Sequence, residues 1–392
     1  MPRPASRTAS IHPFYVMEIV KAAQQLELAG RSVIHMSIGE PDFTAPEPVQ
    51  EAARAAIAKG ATGYSAALGL AELRERIAGH YLASYGIRID PGRIVVTAGA
   101  SAALLLSMAA LLEPGHEVLM PDPSYPCNRH FVSVFGGRAN LLPCGPGSRF
   151  QPTADDVRRN WGGSVAGLML ASPSNPTGTS ISPDTLRELL DVVQAREGFS
   201  VVDEIYQGLS YDRPPTSALS LSDDVVVINS FSKFFSMTGW RLGWLVAPAA
   251  LLSVFEKLAQ NLYICASTVA QRAAVACFDP ATLAIYESRR RQFQRRRDYL
   301  VPALRDLGLD VPVTPDGAFY VYVDISSFAD DSWNFAFDLL NEAGVCVVPG
   351  RDFGSHQPHR YVRISYATSL EQLEEAVERI RKFLAFRARP AI

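Results

Sequence analysis

Residues 225–228 form an unbroken β-branched run, VVVI, that opens through Asn229 onto Ser230-Phe231-Ser232-Lys233, with Gly239, Arg241 and Gly243 close behind. Such a run reads as a buried strand. It delivers a lysine to the strand's carboxyl end, where open α/β sheets place their ligands. A lysine amine can form a Schiff base, serine hydroxyls can donate to phosphate oxygens, and an arginine can clamp them bidentately. The segment therefore suits a ligand that carries both an aldehyde and a phosphate.

Around it the pattern alternates. Strands are expected over 94–97, 117–121, 138–143, 167–172, 199–203 and 243–247, and helical spacing over 48–59, 183–195, 251–276 and 281–307. Alternation over 50–285 predicts a parallel-rich sheet with helices on both faces. A second, smaller α+β region follows, with strands over 317–325, 345–350 and 361–366 and helices over 333–343 and 370–386. Ahead of the sheet lie an irregular arm over 1–16, a helix over 17–29 and a short strand over 33–37. A length of 392 residues suits two domains.

Three places outside the lysine segment carry chemistry. The strand ending at Thr97 leads through Gly99 into an apolar helix, and the free N–H groups of such a helix start attract anions. Asp203 ends a strand, where a buried carboxylate needs a partner. Arg363 lies on a strand, and its planar fork suits a carboxylate.

Other classes are disfavoured. A formal charge of −3 gives no basis for binding nucleic acid or an anionic membrane. The one basic cluster, Arg289 to Arg297, is expected to be the solvated face of a long helix. Cys127, Cys144, Cys265, Cys277 and Cys346 are scattered, which fits a reducing cytoplasm. The first residues lack the apolar core of a signal peptide, and the apolar stretch 102–112 is too short to span a bilayer. The histidines show no metal-ligand spacing, so no metal is expected. No G-x-G-x-x-G follows a strand, which argues against a nicotinamide dehydrogenase.

The lysine segment SFSKFFSMTGWRLG resembles the signature of class I aminotransferases, fold-type I enzymes dependent on pyridoxal 5'-phosphate (PLP). IGEPDF at 38–43, Gly63-Tyr64 with the following G-x-x-x-L-R, PSYP at 123–126, SNPTG at 174–178, DEIY at 203–206 and YVRISY at 361–366 occur in the same family's order. The resemblance implies a PLP-dependent transferase-like α/β fold. Its large domain, 49–289, would hold a mostly parallel seven-stranded sheet between helices; 17–48 with 290–392 would form a small α+β domain.

It also implies roles. Lys233 would tether the cofactor and move protons, Asp203 would face the pyridine nitrogen, and Tyr125 would stack on the ring. Asn175 and Tyr206 would donate to the phenolic oxygen. Ala100, Ser101, Ser230, Ser232 and Arg241 would hold the phosphate, joined by Tyr64 of a neighbouring subunit in a homodimer with shared sites. Gly39, Asn175 and Arg363 would bind the substrate carboxylate. The substrates would be an amino acid and a 2-oxo acid. Ser101 stands where some aspartate-specific members carry a lysine, which favours a neutral or apolar donor, or a broad range of donors, with Phe14, Tyr15 and Ile19 lining the pocket. The alternatives are a PLP-dependent C–S β-lyase and a non-enzymatic PLP-sensing regulator; the arm leaves no room for the helix-turn-helix domain of the latter.

Overall fold

The computed structural model describes residues 2–385 and 387. Its strands are β1 (Ile34–His35), β2 (Ile94–Thr97), β3 (Glu117–Asp122), β4 (Arg138–Pro143), β5 (Val165–Ala171), β6 (Phe199–Asp203), β7 (Val225–Ser230), β8 (Gly243–Val246), β9 (Tyr320–Asp324), β10 (Val345–Cys346), β11 (Val348–Pro349) and β12 (Tyr361–Ser365). Seven of them form one sheet in the order β2-β8-β7-β6-β5-β3-β4. All pairs are parallel except the two made by β8.

The continuous apolar character of β7 follows from burial on both faces. Val226 and Ile228 join one buried cluster with Leu104, Met108 and Phe255, from helices on one side. Val225 and Val227 join the other cluster with Leu186, Leu189 and Val193, from a helix on the opposite side. Because β3, β5, β6 and β7 run the same way, Asp122, Ala171, Asp203 and Ser230 all end at one edge of the sheet. That edge carries the site.

A separate antiparallel sheet has the order β11-β12-β9, and β1 pairs in parallel with β10. The stretch 345–350 is thus two strands in two sheets, split at Val347, rather than one. The helical pattern 251–276 is also broken. It forms Leu252–Leu262 and Thr268–Val275, parted where Ile264 takes φ +66° and capped anew by Ser267. The 333–343 helix ends in a π-helical turn, Leu339–Ala343, stopped by Gly344 in the left-handed region. The first helix begins one residue early, at Val16, and the arm before it contains a 3-10 helix, Ser6–Ser10. The last helix is described to Ala385, and Phe386 lies outside the described residues. Among the described residues no helix is long and apolar enough to cross a membrane.

The arginine cluster is a solvated helix face only in part: Arg291 and Arg295 are exposed, but two of its members are not. The helix Pro280–Asp306 turns Arg296 and Arg297 inward, where both are buried. Arg296 forms a two-pronged pair with Asp42, at 2.8 and 2.7 Å, and Arg297 does the same with Asp212. Phe43 lies under the guanidinium groups of Arg289 and Arg296 at 4.9 and 5.3 Å. The cluster therefore anchors the 38–44 loop. Arg296→Ala should lower folding stability by about 2 kcal/mol, less than a fully buried pair because Asp42 is part exposed. A lower urea midpoint is expected; an unchanged midpoint contradicts the anchor.

Candidate active site

Lys233 follows β7 in a tight turn and enters a cavity of about 410 Å³ at the sheet edge. Its amine donates to Gly39 O at 2.5 Å and lies 5.9 Å from the centre of the Tyr206 ring. Burial pushes its pKa down to about 8, opposed by the nearby Glu40 carboxylate. Asp203, beside it on β6, is 6% exposed and accepts a hydrogen bond from Ile205 N–H at 3.0 Å. Burial raises its pKa to about 6. Among the described residues no basic side chain is hydrogen-bonded to it, and the charge on Lys233 offsets its burial only in part, so the carboxylate has room for a closer cation.

The opposite corner is built for an anion. β2 and β8 pair antiparallel, with Thr97 opposite Gly243, which brings the start of the Ala100–Leu111 helix against the lysine segment. That start has no side-chain cap. Gly99 takes φ +83°, and a Cβ there would meet Arg241 Nη2 at 2.5 Å. A Cβ on Gly243 would meet Gly99 C at 2.8 Å. Both positions need glycine for this approach. Ser230 Oγ donates to Ser232 Oγ at 3.0 Å, and Arg241 lies 3.5 Å from the latter. Among the described residues no carboxylate pairs with Arg241. Free helix N–H groups, two hydroxyls and an arginine converge here with no anion of the protein's own.

The third corner comes from β12. Arg363 is 5% exposed; its Nη1 donates to Asn175 Oδ1 at 3.0 Å, its Nη2 to Ser37 O at 2.6 Å, and its Nε has no partner. The guanidinium lies 4.4 Å from the Tyr320 ring centre. Tyr206 and Tyr320 share a hydroxyl hydrogen bond of 2.9 Å. Tyr125 packs edge-on against Phe14 at 6.4 Å.

The cavity thus brings together Phe14, Gly39, Ala100, Ser101, Tyr125, Asn175, Asp203, Tyr206, Ser230, Ser232, Lys233, Arg241 and Arg363. Tyr64 does not line it and is 82% exposed. Two pocket expectations are corrected. Ile19 is fully buried in the core, and Tyr15 turns onto Trp333 at 6.0 Å. Val16, Met17 and Val20 line the cavity instead, together with Ile38 and Leu104. Sequence reasoning also missed Tyr320 and Glu40. Tyr320 was visible as an aromatic in the strand GAFYVYVDI, but nothing local indicates that its hydroxyl reaches the site.

The model of the family described as aminotransferase class I and II matches residues 31–380. The chain belongs to the class I and II aminotransferases. It is 40% identical to a valine–pyruvate aminotransferase of Mycobacterium tuberculosis, over 96% of this chain and 97% of that protein. It is 34% identical to a (5-formylfuran-3-yl)methyl phosphate transaminase of Methanocaldococcus jannaschii, over 97% and 99%. A crystal structure of an aminotransferase from Mycobacterium tuberculosis superposes with a TM-score of 0.95 at 40% identity, covering 98% of this chain and 100% of that one. The chain is an aminotransferase, with the α/β fold of the PLP-dependent members of its family. Similar proteins at 34–40% identity carry different substrates in their names, so membership leaves the donor open.

Proposed function

We propose that this aminotransferase moves an amino group from a neutral, apolar L-amino acid to a 2-oxo acid, with PLP tethered at Lys233. One observation carries the donor class. Arg363 shares the cavity lining with the apolar side chains of Val16, Met17, Val20, Ile38 and Leu104, and no further cation joins Lys233 and Arg241 there. A donor with one carboxylate and an apolar side chain satisfies that arrangement, whereas a second carboxylate would be left unpaired. The valine–pyruvate name of a 40% identical relative agrees with it.

The residues fit PLP. The anion corner at Gly99–Ser101, Ser230, Ser232 and Arg241 suits its phosphate, and the buried, only partly compensated Asp203 suits its protonated ring nitrogen. Bound there, the cofactor supplies an electron sink for the donor's α-carbon. Asp203 would hold the proton on the ring nitrogen, Tyr125 would stack on the ring, and Asn175 and Tyr206 would donate to the phenolic oxygen. Arg363, Asn175 and the Gly39 backbone orient the donor's carboxylate. Lys233 would hold the cofactor and, when free, would carry the donor's α-proton at Nζ.

Tyr64, exposed in one chain, reaches the phosphate of a neighbouring subunit in a homodimer. The division into 49–289 and 17–48 with 290–392 follows the same reading, as does a cytoplasmic setting for the free cysteines.

The deciding experiment is a donor panel with a common 2-oxo acid. Leucine, valine and alanine should turn over faster than aspartate; aspartate far ahead of all three overturns the donor class. A pH series adds a second check. Loading of cofactor-free protein with PLP should accelerate as pH rises through about 8, where the Lys233 amine loses its proton, and level off above. Glu40 favours the charged amine, so Glu40→Gln should move the midpoint to lower pH. A midpoint near the ordinary lysine value contradicts the burial of Lys233.

A further inference from the structure

The helix Val16–Leu28 supplies Val16, Met17 and Val20 to the cavity's apolar wall, yet its start carries no side-chain cap of its own. An uncapped start leaves backbone N–H groups without partners. Here the N–H groups of Tyr15 and Val16 donate to the two oxygens of Asp352, at 2.9 and 2.6 Å. Asp352 lies 336 residues further along the chain and is 2% exposed. A charged acceptor at a helix N-terminus is favoured by the helix dipole as well as by the hydrogen bonds.

Asp352 is itself held from the sheet. Asp122, at the end of β3, accepts hydrogen bonds from Ser355 N, Ser355 Oγ and His356 N. A Cβ on Gly354 would meet Asp122 Oδ1 at 1.6 Å, so the loop lies directly on that carboxylate. Ser124 N donates to Phe353 O and Arg129 to Asp352 O. Three residues past Asp122, Tyr125 packs against Phe14. The wall and the cavity floor are thus tied to one another through the 352–356 loop.

We propose that Asp352 is a positioning residue for donor specificity: it caps the wall helix from a distant loop and fixes Val16, Met17 and Val20 at the height that admits an apolar side chain. The inference rests on the reading of the cavity as an apolar-donor site. Arg363 and Arg129 are the cations that act on Asp352. An effect routed through Arg363 would weaken every donor alike, since each carries an α-carboxylate. A displaced wall instead penalises donors according to side-chain size.

Asp352→Asn and Asp352→Ala holoenzymes would be assayed with alanine, valine and leucine. Hydrogen exchange would be followed by mass spectrometry over residues 12–20. The leucine-to-alanine ratio of kcat/KM should fall about tenfold, mainly through KM. The near-visible cofactor band should persist, and exchange over 15–16 should accelerate about tenfold or more. Should the alanine variant fail to fold, Asp352→Asn, which forfeits one of the two acceptors, decides. Unchanged exchange, or equal losses for all three donors, overturns the proposal. Wild-type protein that rejects valine and leucine would refute the donor reading instead, and the exchange result would still decide the cap.

Discussion

Lys233→Ala is expected to abolish the near-visible absorption of the PLP-loaded protein and to lower transamination by about 10⁴-fold or more. The size follows from the two roles proposed for one side chain, cofactor tether and proton carrier. Lys233 brings its amine into the cavity that Asp203 also lines, 2.5 Å from Gly39 O. With its pKa pushed down to about 8, a large share of it is neutral near that pH, as both the tether and the proton carrier require. Alanine removes the covalent link and the acid–base group together. No other lysine lines the cavity to substitute. The variant should melt within a few degrees of the wild type when both are free of cofactor, because Lys233 forms no ion pair among the described residues. Residual transamination within tenfold of wild type would sink the assignment.

Asp203→Asn should cost about 10³-fold in kcat and weaken cofactor retention. A carboxylate and a ring nitrogen cation about 4 Å apart, at an effective dielectric of 20, attract by about 4 kcal/mol, which corresponds to that factor. Asparagine keeps the shape and the Ile205 contact but removes the charge. The sign of the pH dependence also follows. In the cofactor-free protein the pKa of Asp203 is raised from 3.8 to about 6. The folded state then prefers the protonated acid, and that contribution to stability is present below pH 3.8 and lost as pH rises through about 6. A cation at the ring position removes this loss. The melting-temperature gap between loaded and cofactor-free protein should therefore widen from pH 5 to pH 7, and Asp203→Asn should flatten it. A gap that is constant with pH in the wild type would contradict the pairing.

What could be read from the sequence divides along physical lines. The VVVI run, Lys233 and Asp203 were legible because burial on both faces and a polar residue at a strand end leave local signatures. Arg363, in the middle of β12, was legible instead through the resemblance carried by YVRISY. The arginine cluster misled because its partners are remote: Asp42 is 254 residues from Arg296, and Asp212 is 85 from Arg297. Residues 345–350 misled because β10 and β11 answer to different neighbours, β1 and β12, which no local pattern encodes. The wall helix shows the limit most sharply. Val16 and Val20, four apart, share the cavity face, while Ile19 turns into the core. A rotation of one residue about the helix axis, fixed by Asp352 from far along the chain, separates the expected lining from the observed one.

The most direct test is to load the protein with PLP, reduce it with borohydride and map the modified peptide by mass spectrometry. The account predicts a single pyridoxyl adduct on Lys233, lost when Asp203, Arg241 or Lys233 itself is replaced by alanine. An adduct on Lys21, Lys59, Lys257 or Lys382 in its place, or none at all, would contradict the site described here.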